Sequence, residues 1–424
     1  MRRLQFALHS ASNHTMPNFV THLESTHDGT RLTKNTVQTT HGDQPIVVHY
    51  DLPAVGRAVT RTQVAARPAT LWKWRELLPY ENDSDVVTLG ENQTPLLCCP
   101  RLAARIGVRK LWIKDESMLP TGSFKARGMA LAVTMAKALG ITHVAAPTAG
   151  NAGGALAAYA ARAGMQCTVL MPEDTPIVNQ LEAAAYGARA FLVDGLIHQC
   201  GAIIKEGAAR GLWFDMSTMK EPYRLEGKKT MGLELCEQLG WRLPDAILYP
   251  TGGGTGLIGM HKAFAELLAL GWLEIGTTLP RMFACQAEGC APMVHAFLQK
   301  AERAQLVQNA TTKASGLRVP KPFADMLILQ CLRETGGAAL AAKEPDLMRW
   351  FRDAMALEGI AVCPETGACL AVLHDSVQNG RIHRDTEVVV FNTGAAQKYV
   401  EALQTPLQSL RRASIDWHAL GGQS

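Results

Sequence analysis

The chain has 424 residues, enough for two or three domains or for one large enzyme with two lobes. Hydrophobic residues make up 47% and charged residues 19%, which is ordinary globular usage and excludes a disordered chain. The formal charge of +4 without clustered Lys and Arg argues against nucleic-acid binding, and no apolar run approaches the roughly 18 residues of a membrane helix. Residues 1–80 are polar and weakly periodic, and we predict a partly irregular N-terminal extension there.

From about Thr88 onward, short apolar runs alternate with helical patterns. The run 110–114 precedes an Ala-rich helix predicted over 123–140, which contains no Pro and ends on a glycine. Further strand-like runs lie at 142–147, 167–172, 246–250, 281–286 and 386–392. This alternation predicts an α/β fold with a parallel sheet, arranged in two lobes. The polar segment 300–321 is predicted to be a surface loop near a domain boundary.

The cysteines indicate the redox compartment of the protein, and the N-terminal histidines are the candidate metal ligands. The ten cysteines form no CxxC pair and several lie in apolar runs, which predicts reduced, buried thiols in a cytoplasmic protein. No cysteine precedes Cys98, so an N-terminal metal site would need the histidines of that region. These are His22, His27, His41 and His49. They include no tight i, i+4 pair, and we predict no metal site.

A lysine begins one predicted helix. Lys125 lies in the segment PTGSFKARG, residues 120–128, where a loop becomes a helix. The positive helix end and a crowded cleft would lower the pKa of its amine, which suits a nucleophile or a base. The alternative is an ordinary solvated lysine at a helix N-terminus.

Two glycine-containing turns connect strands to helices. In PTAGNAGG, residues 147–154, Asn151 and backbone amides stand where α/β sheets bind ligands, although Asn151 could also simply cap the helix. In TGGGTGLIG, residues 251–259, consecutive glycines allow amides to surround a phosphate at a helix N-terminus. The loop also matches G-x-G-x-x-G, but no suitable acid follows at the ribose position. A single small phosphate therefore fits better than a dinucleotide.

Two further segments carry polar groups. Thr393 ends a strongly apolar strand, where its hydroxyl could face a cofactor ring or cap a turn. In residues 217–230, Arg224 and Lys228 are four apart, so in a helix both could point at one anion. A solvated charged face is the alternative for this second segment.

Taken in order, the SFK, AGN, EPYRLEGKKT and GGGTG segments resemble those of fold-type II pyridoxal-phosphate enzymes, and within that group of threonine synthases. The similarity runs from about Tyr50 to Tyr399. It implies a two-lobed α/β fold of parallel or mixed sheets flanked by helices, pyridoxal 5'-phosphate as cofactor, a small amino-acid substrate and a homodimer. The implied domains are an N-terminal extension (1–80), a larger cofactor-binding domain (81–125 and 225–412), a smaller mobile domain (126–224) and a C-terminal tail (413–424).

The resemblance also implies roles for individual residues. Lys125 would form the Schiff base with the cofactor, Asn151 would contact its phenolic oxygen, and Thr393 would face its pyridine nitrogen. The cofactor phosphate would lie on Gly252, Gly253, Gly254, Thr255 and Gly256. The substrate would be held by Thr148 at its carboxylate and by Arg224 with Lys228 at its phosphate.

The resemblance implies conversion of O-phospho-L-homoserine and water to L-threonine and phosphate. Ala126 after the lysine and the GGGTG loop resemble serine and threonine dehydratases, and Ala152 follows the asparagine where synthases usually carry a threonine. An ammonia-lyase acting on threonine or serine is therefore the alternative, and the cationic pair Arg224 and Lys228 argues against it. A pseudo-enzyme that only carries the cofactor is a third hypothesis, against which the presence of Lys125 argues.

Overall fold

The computed structural model describes residues 18–404, 407 and 409–420. The first seventeen residues of the predicted N-terminal extension and the last four of the predicted tail lie outside this part. The strands are β1 (Val20–Ser25), β2 (Arg31–Leu32), β3 (Ile46–Tyr50), β4 (Leu96–Cys98), β5 (Lys110–Asp115), β6 (His143–Pro147), β7 (Gln166–Pro172), β8 (Arg189–Val193), β9 (Phe214–Asp215), β10 (Ala246–Pro250), β11 (Arg281–Ala287), β12 (Ala338–Ala342) and β13 (Glu387–Asn392).

The helices alternate with these strands over most of the chain. They are α1 (Leu52–Ala58), α2 (Arg61–Ala65), α3 (Pro100–Ile106), α4 (Lys125–Ala138), α5 (Ala152–Ala163), α6 (Ile177–Ala185), α7 (Ile197–Ala209), α8 (Tyr223–Gln238), α9 (Thr255–Ala269), α10 (Pro292–Leu298), α11 (Asp325–Glu334), α12 (Glu344–Glu358), α13 (Pro364–Gln378) and α14 (Trp417–Leu420). None of the helices in the described part is long and apolar enough to cross a bilayer.

The largest sheet has six strands in the order β12-β11-β10-β13-β5-β4, all parallel except β4, which runs antiparallel to β5. Along β10, Leu248 packs into a core with α3, α12 and α13, whereas Tyr249 packs into the opposite core with α8 and α9. Helices therefore cover both faces, which explains why the strand sequences are continuous apolar runs. The α/β fold with a parallel sheet is confirmed.

A second sheet has four parallel strands in the order β8-β7-β6-β9. Ala145 packs on one face with Cys200 and Ile204 of α7, while Val144 and Ala146 face the core that contains α5. A third, antiparallel sheet of β2-β1-β3 forms near the N-terminus, in a region predicted to be partly irregular. All ten cysteines carry free thiols and nine are buried, as predicted.

A buried ion network joins α4 to the larger sheet. Arg127 is completely buried and donates to Glu116 at 2.6 and 2.9 Å and to Glu234 of α8 at 3.0 Å. Lys114 of β5 donates to the same Glu234 carboxylate and to the Thr94 carbonyl. Every charge in this network has an opposite charge beside it, which is the condition under which buried charges are tolerated.

Candidate active site

A cavity of about 410 Å³ lies between the two parallel sheets. The carboxyl ends of β6, β10 and β13 reach its wall, and so do the first turns of α4, α5, α7, α9 and α13. Unpaired amides and the macrodipole make a helix N-terminus favourable for negative charge. Five such ends around one cavity predict a ligand that carries several negative charges.

Lys125 is the first residue of α4, and it lines the cavity. Its ammonium lies 4.5 Å from the centroid of the Phe124 ring. Burial and the nearby Arg224 guanidinium lower the pKa of Lys125 to about 7, although the Glu365 carboxyl acts in the opposite direction. Because burial penalises the charged form, a substantial fraction of this amine is neutral near pH 7 and available as a nucleophile.

This pKa predicts how the apoprotein reacts with an amine-directed reagent. Only the neutral amine reacts, so labelling of Lys125 is expected to rise with pH and to reach half of its maximal rate near pH 7. The exposed Lys137, at the other end of α4, is the internal control. Peptide mass spectrometry after short pulses measures both rates, and identical profiles for the two lysines would contradict the prediction.

The glycine loop precedes α9 and has no room for side chains. Gly254 is the N-cap of α9, with φ of +75°, and no side chain caps this helix. A Cβ at Gly252 would collide with the carbonyl of Gly316, and one at Gly256 with the hydroxyl of Tyr249. Residues 252–256 all line the cavity. An uncapped helix end with closely packed glycines is suited to bind a phosphate group, as predicted from the sequence.

Asn151 lies at the start of α5 and belongs to a hydrogen-bonded group that the sequence did not predict. Its Nδ2 donates to the Tyr399 hydroxyl at 3.1 Å, and its buried Oδ1 has no partner among the described residues. Glu365 also lines the cavity, and its Oε1 accepts from the Gly316 amide at 2.8 Å. Burial raises the pKa of Glu365. A single acid within the apolar stretch 360–373 was the signal that could have revealed Glu365.

The segment 300–321 was predicted to be a surface loop, and for its last residues this is wrong. Ser315 and Leu317 are buried, and residues 315–321 line the cavity. Arg318 makes a bidentate ion pair with Asp174, at 2.5 and 2.6 Å, so it connects this segment to the loop after β7. A polar composition predicted exposure, but here the polar groups face a cavity.

Thr393 lies at the end of β13, on the cavity wall. Its hydroxyl is 3.6 Å from the thiol of Cys363. Burial raises the pKa of Cys363 to about 12, so that thiol is uncharged at physiological pH. The Thr393 hydroxyl therefore faces the cavity next to an uncharged thiol, and neither Thr393 nor Cys363 brings a charge to the end of β13.

Of the three predicted substrate-binding residues, one lies on the cavity wall and two are buried next to Lys125. Thr148 lines the cavity, and its hydroxyl donates to the Gly150 carbonyl at 2.7 Å within the turn before α5. Arg224 and Lys228 lie on the same helix, α8. Both are buried next to Lys125 rather than on the cavity wall: Lys228 donates to the Phe124 carbonyl, and Arg224 donates to the Met216 carbonyl at 2.6 Å.

Comparison with known proteins agrees with this site. The family model described as pyridoxal-phosphate dependent enzyme matches residues 87–394. The threonine synthase of Methanocaldococcus jannaschii is 33% identical over 354 residues, or 83% of this chain and 86% of that protein. The threonine synthase of Methanosarcina acetivorans is 37% identical over 77% of this chain and 79% of that protein. The solved structure of threonine deaminase isoform 2 from Solanum lycopersicum, 20% identical, covers 75% of this chain and 84% of its own, with a TM-score of 0.60, and supports the fold alone.

Proposed function

Because the chain belongs to the family of pyridoxal-phosphate dependent enzymes, we propose that it is a threonine synthase that converts O-phospho-L-homoserine and water to L-threonine and phosphate. Phosphate leaves the γ-carbon as a proton leaves the β-carbon, and the hydroxyl and one hydrogen of a water molecule are then added at the β- and γ-carbons respectively. The threonine synthases that match most of this chain support the substrate.

The cofactor fits the residues around the cavity. When bound, pyridoxal phosphate withdraws electrons from the reacting carbons of the amino acid. We propose that residues 252–256 hold its phosphate at the N-terminus of α9, that Asn151 donates to its phenolic oxygen and that the Thr393 hydroxyl faces its ring nitrogen. The amides of the uncapped first turn of α9 are polar groups that the phosphate of such a ligand would meet.

Lys125 is proposed to carry the cofactor and to move protons on the substrate. Its pKa of about 7 lets the amine accept a proton from the α-carbon and return it at a neighbouring carbon near neutral pH. Thr148 and the amides at the start of α5 are proposed to bind the substrate carboxylate, since α5 also lacks a side-chain cap.

The single observation that carries the phosphorylated substrate is the buried Arg224. Arg224 is 2% exposed, and among the described residues it has no ion pair within 4 Å, although the Glu221 and Asp215 carboxylates act on its charge from farther away. A buried cation without a close ion-pair partner is costly, and a dianionic substrate group would supply that partner. Burial, Lys125 and Arg224 hold the pKa of Lys228 well below its usual range, and a dianion would raise that pKa so that Lys228 could join Arg224.

This assignment predicts a selective defect in Arg224→Gln. We expect kcat/KM for O-phospho-L-homoserine to fall about 100-fold or more, because truncating one partner of a buried charge pair costs about 2–5 kcal/mol. Phosphate release and product identity measure it, with L-threonine and L-serine as parallel substrates. Arg162→Gln, an exposed arginine on α5, is the matched control and should retain wild-type kinetics. An equal loss with all three substrates would show that Arg224 does not bind phosphate.

The second candidate is an ammonia-lyase that acts on threonine or serine. Ala152 lines the cavity and Ala126 is completely buried behind Lys125, so neither contributes the polar side chain that is usual in threonine synthases. The same assay separates the two functions. Threonine and phosphate in equal amounts support the synthase, whereas keto acid and ammonia without phosphate release support the lyase.

We further propose the domain division that the sequence suggested. The four-stranded sheet lies within 126–224, the proposed smaller mobile domain, and the six-stranded sheet lies within 81–125 and 225–412, the proposed larger domain. The Asp174–Arg318 pair and the ion pair of Lys398 with Glu182 at 2.5 Å join these parts next to the cavity. Strands β1–β3 belong to the extension 1–80, and α14 belongs to the tail 413–424. A homodimer and a cytoplasmic location complete the proposal.

A further inference from the structure

The pairing of β1 with β3 brings three side chains to one face of the N-terminal sheet. His22 and Glu24 are two residues apart in β1, and His22 is directly opposite His49 in β3. The two imidazole rings are stacked, with centroids 4.9 Å apart and planes 5° from parallel. The Nε2 of His22 lies 3.3 Å from one carboxylate oxygen of Glu24, and the Nε2 of His49 lies 3.6 Å from the other.

A neighbouring threonine contacts the other ring nitrogen of His22. The Thr21 hydroxyl lies 2.8 Å from Nδ1 of His22 and 3.3 Å from the His49 carbonyl oxygen, to which it donates. Nε2 of His22 lies within hydrogen-bonding distance of Glu24, and a cation that bound both groups would replace the proton that they share. A hydrogen bond to the other ring nitrogen is also what orients a histidine that binds a metal.

His49 also has a ring nitrogen that could bind a metal. Its Nε2 is buried and has no hydrogen-bond partner among the described residues. This nitrogen lies 3.6 Å from the Glu24 carboxylate, so it is available as a metal ligand beside that group. The Lys262 ammonium is itself paired with Glu226 and Glu266, so its charge is balanced.

We propose that His22, Glu24 and His49 bind one divalent transition-metal ion, such as Zn²⁺, through two imidazole nitrogens and the Glu24 carboxylate. One ligand atom from each of the three residues lies within 4.8 Å of the other two. In a tetrahedral zinc site with bonds of about 2.1 Å, neighbouring ligands are about 3.4 Å apart, close to the 3.3 and 3.6 Å that separate the two histidines from the two Glu24 oxygens. The side chains are 19%, 31% and 42% exposed, so water can take the fourth position. Imidazole ligands favour such ions over Ca²⁺ and Mg²⁺.

The bound ion would join β1 to β3. The residue after His49 is Tyr50, whose hydroxyl donates to Glu226 of α8 at 2.8 Å, and α8 also carries Arg224. The metal is thus expected to stabilise the contact of the N-terminal sheet with the helix beside the cavity. The sequence predicts no metal site because its N-terminal histidines include no pair four residues apart, the spacing that joins two ligands on one helix. Here the ligands come from two strands, and His41 instead lies 3.8 Å from Asp28.

Binding is tested with tag-free holoenzyme that has been dialysed against a chelator and then titrated with Co²⁺, which reports its ligands by visible absorption. Zinc content after equilibrium dialysis gives the stoichiometry. We expect one site per chain in the wild type and in the control His41→Gln. Affinity should fall about 10- to 100-fold in Thr21→Val, which removes the partner of Nδ1. A larger loss is expected in His49→Gln and in Glu24→Gln.

Two results would overturn the proposal. The first is the lack of Co²⁺ absorption bands in the wild type at millimolar Co²⁺. The second is equal affinity in His49→Gln, Glu24→Gln and His41→Gln. Glu24→Gln preserves the size of the side chain, so it answers the question even if His49→Gln disturbs the sheet, and circular dichroism verifies the fold of each variant. The metal readouts do not depend on turnover, so they are independent of the proposed reaction.

Discussion

Lys125→Ala is expected to lower the turnover of O-phospho-L-homoserine by about 10³-fold or more. The substitution removes both the amine that we propose carries the cofactor and the group that we propose moves protons on the substrate. General acid–base catalysis alone accounts for about 10²–10⁴-fold of rate. Phosphate release at saturating cofactor measures the loss, and the visible absorbance of lysine-bound cofactor should disappear at the same time.

Lys137→Ala provides the matched control for this experiment. Lys137 lies in the last turn of the same helix, is exposed and donates to the Ser84 carbonyl at 2.8 Å. We expect its activity and absorbance to match those of the wild type. Normal turnover in Lys125→Ala would refute the assignment of Lys125, whereas a loss of cofactor absorbance in both variants would point to a general effect on α4.

Arg127→Met is expected to lower the free energy of unfolding by about 3–5 kcal/mol, because removal of one partner leaves buried charges uncompensated. Glu116 and Glu234 would both lose their guanidinium partner, and Lys114 can balance only one of them. Urea unfolding followed by fluorescence measures the change. Arg105→Met is the control, since Arg105 is exposed and pairs with Asp353 at 3.2 Å on the surface. Surface pairs contribute only about 0–1 kcal/mol.

The effect of Arg127 should depend on pH. Burial alone would raise the pKa of Glu234, but Arg127 and Lys114 outweigh it and hold the pKa of Glu234 at about 2, below the ordinary 4.5. A carboxyl with a lowered pKa stabilises the folded state above its unfolded pKa, and this contribution is lost as the pH falls toward the folded pKa. The difference in stability between wild type and Arg127→Met should therefore shrink from about pH 5 toward pH 2. A difference that stays constant over this range would contradict the assigned network.

The strands and the principal helices could be predicted because their signals are local. The run 246–250 is strand β10, and the helix predicted over 123–140 is observed over Lys125–Ala138. The final turn was lost because Leu139 leaves the helical conformation and Gly140 adopts a φ of +72°. The strands β1–β3 were missed because each is short and none has a clear alternation of apolar and polar residues. Their pairing with one another determines them.

The residues of the candidate site also differ in whether local sequence could predict them. Lys125, Asn151 and the glycine loop could be predicted, because each lies at a junction between a loop and a helix that has a recognisable sequence. Tyr399 could not, because its place in the site depends on a contact with Asn151, which is more than 200 positions away. Glu365 has one local signal, an acid within an apolar stretch, but its contact with Gly316 arises from packing. The cluster of His22, Glu24 and His49 is a third case, since it exists only in the register of β1 with β3.

The sequence by itself determined the class of fold, the cofactor-binding segments and the lysine at the start of α4. Each of these depends on residues that are neighbours in the chain, where periodicity, glycine and helix ends act over a few positions. Only the tertiary structure decided which polar groups meet: Asn151 with Tyr399, Arg318 with Asp174, and Arg224 beside Lys125 without an ion-pair partner among the described residues. These contacts arise from packing between distant segments, and burial there sets the pKa values and the unsatisfied charges that no local pattern contains.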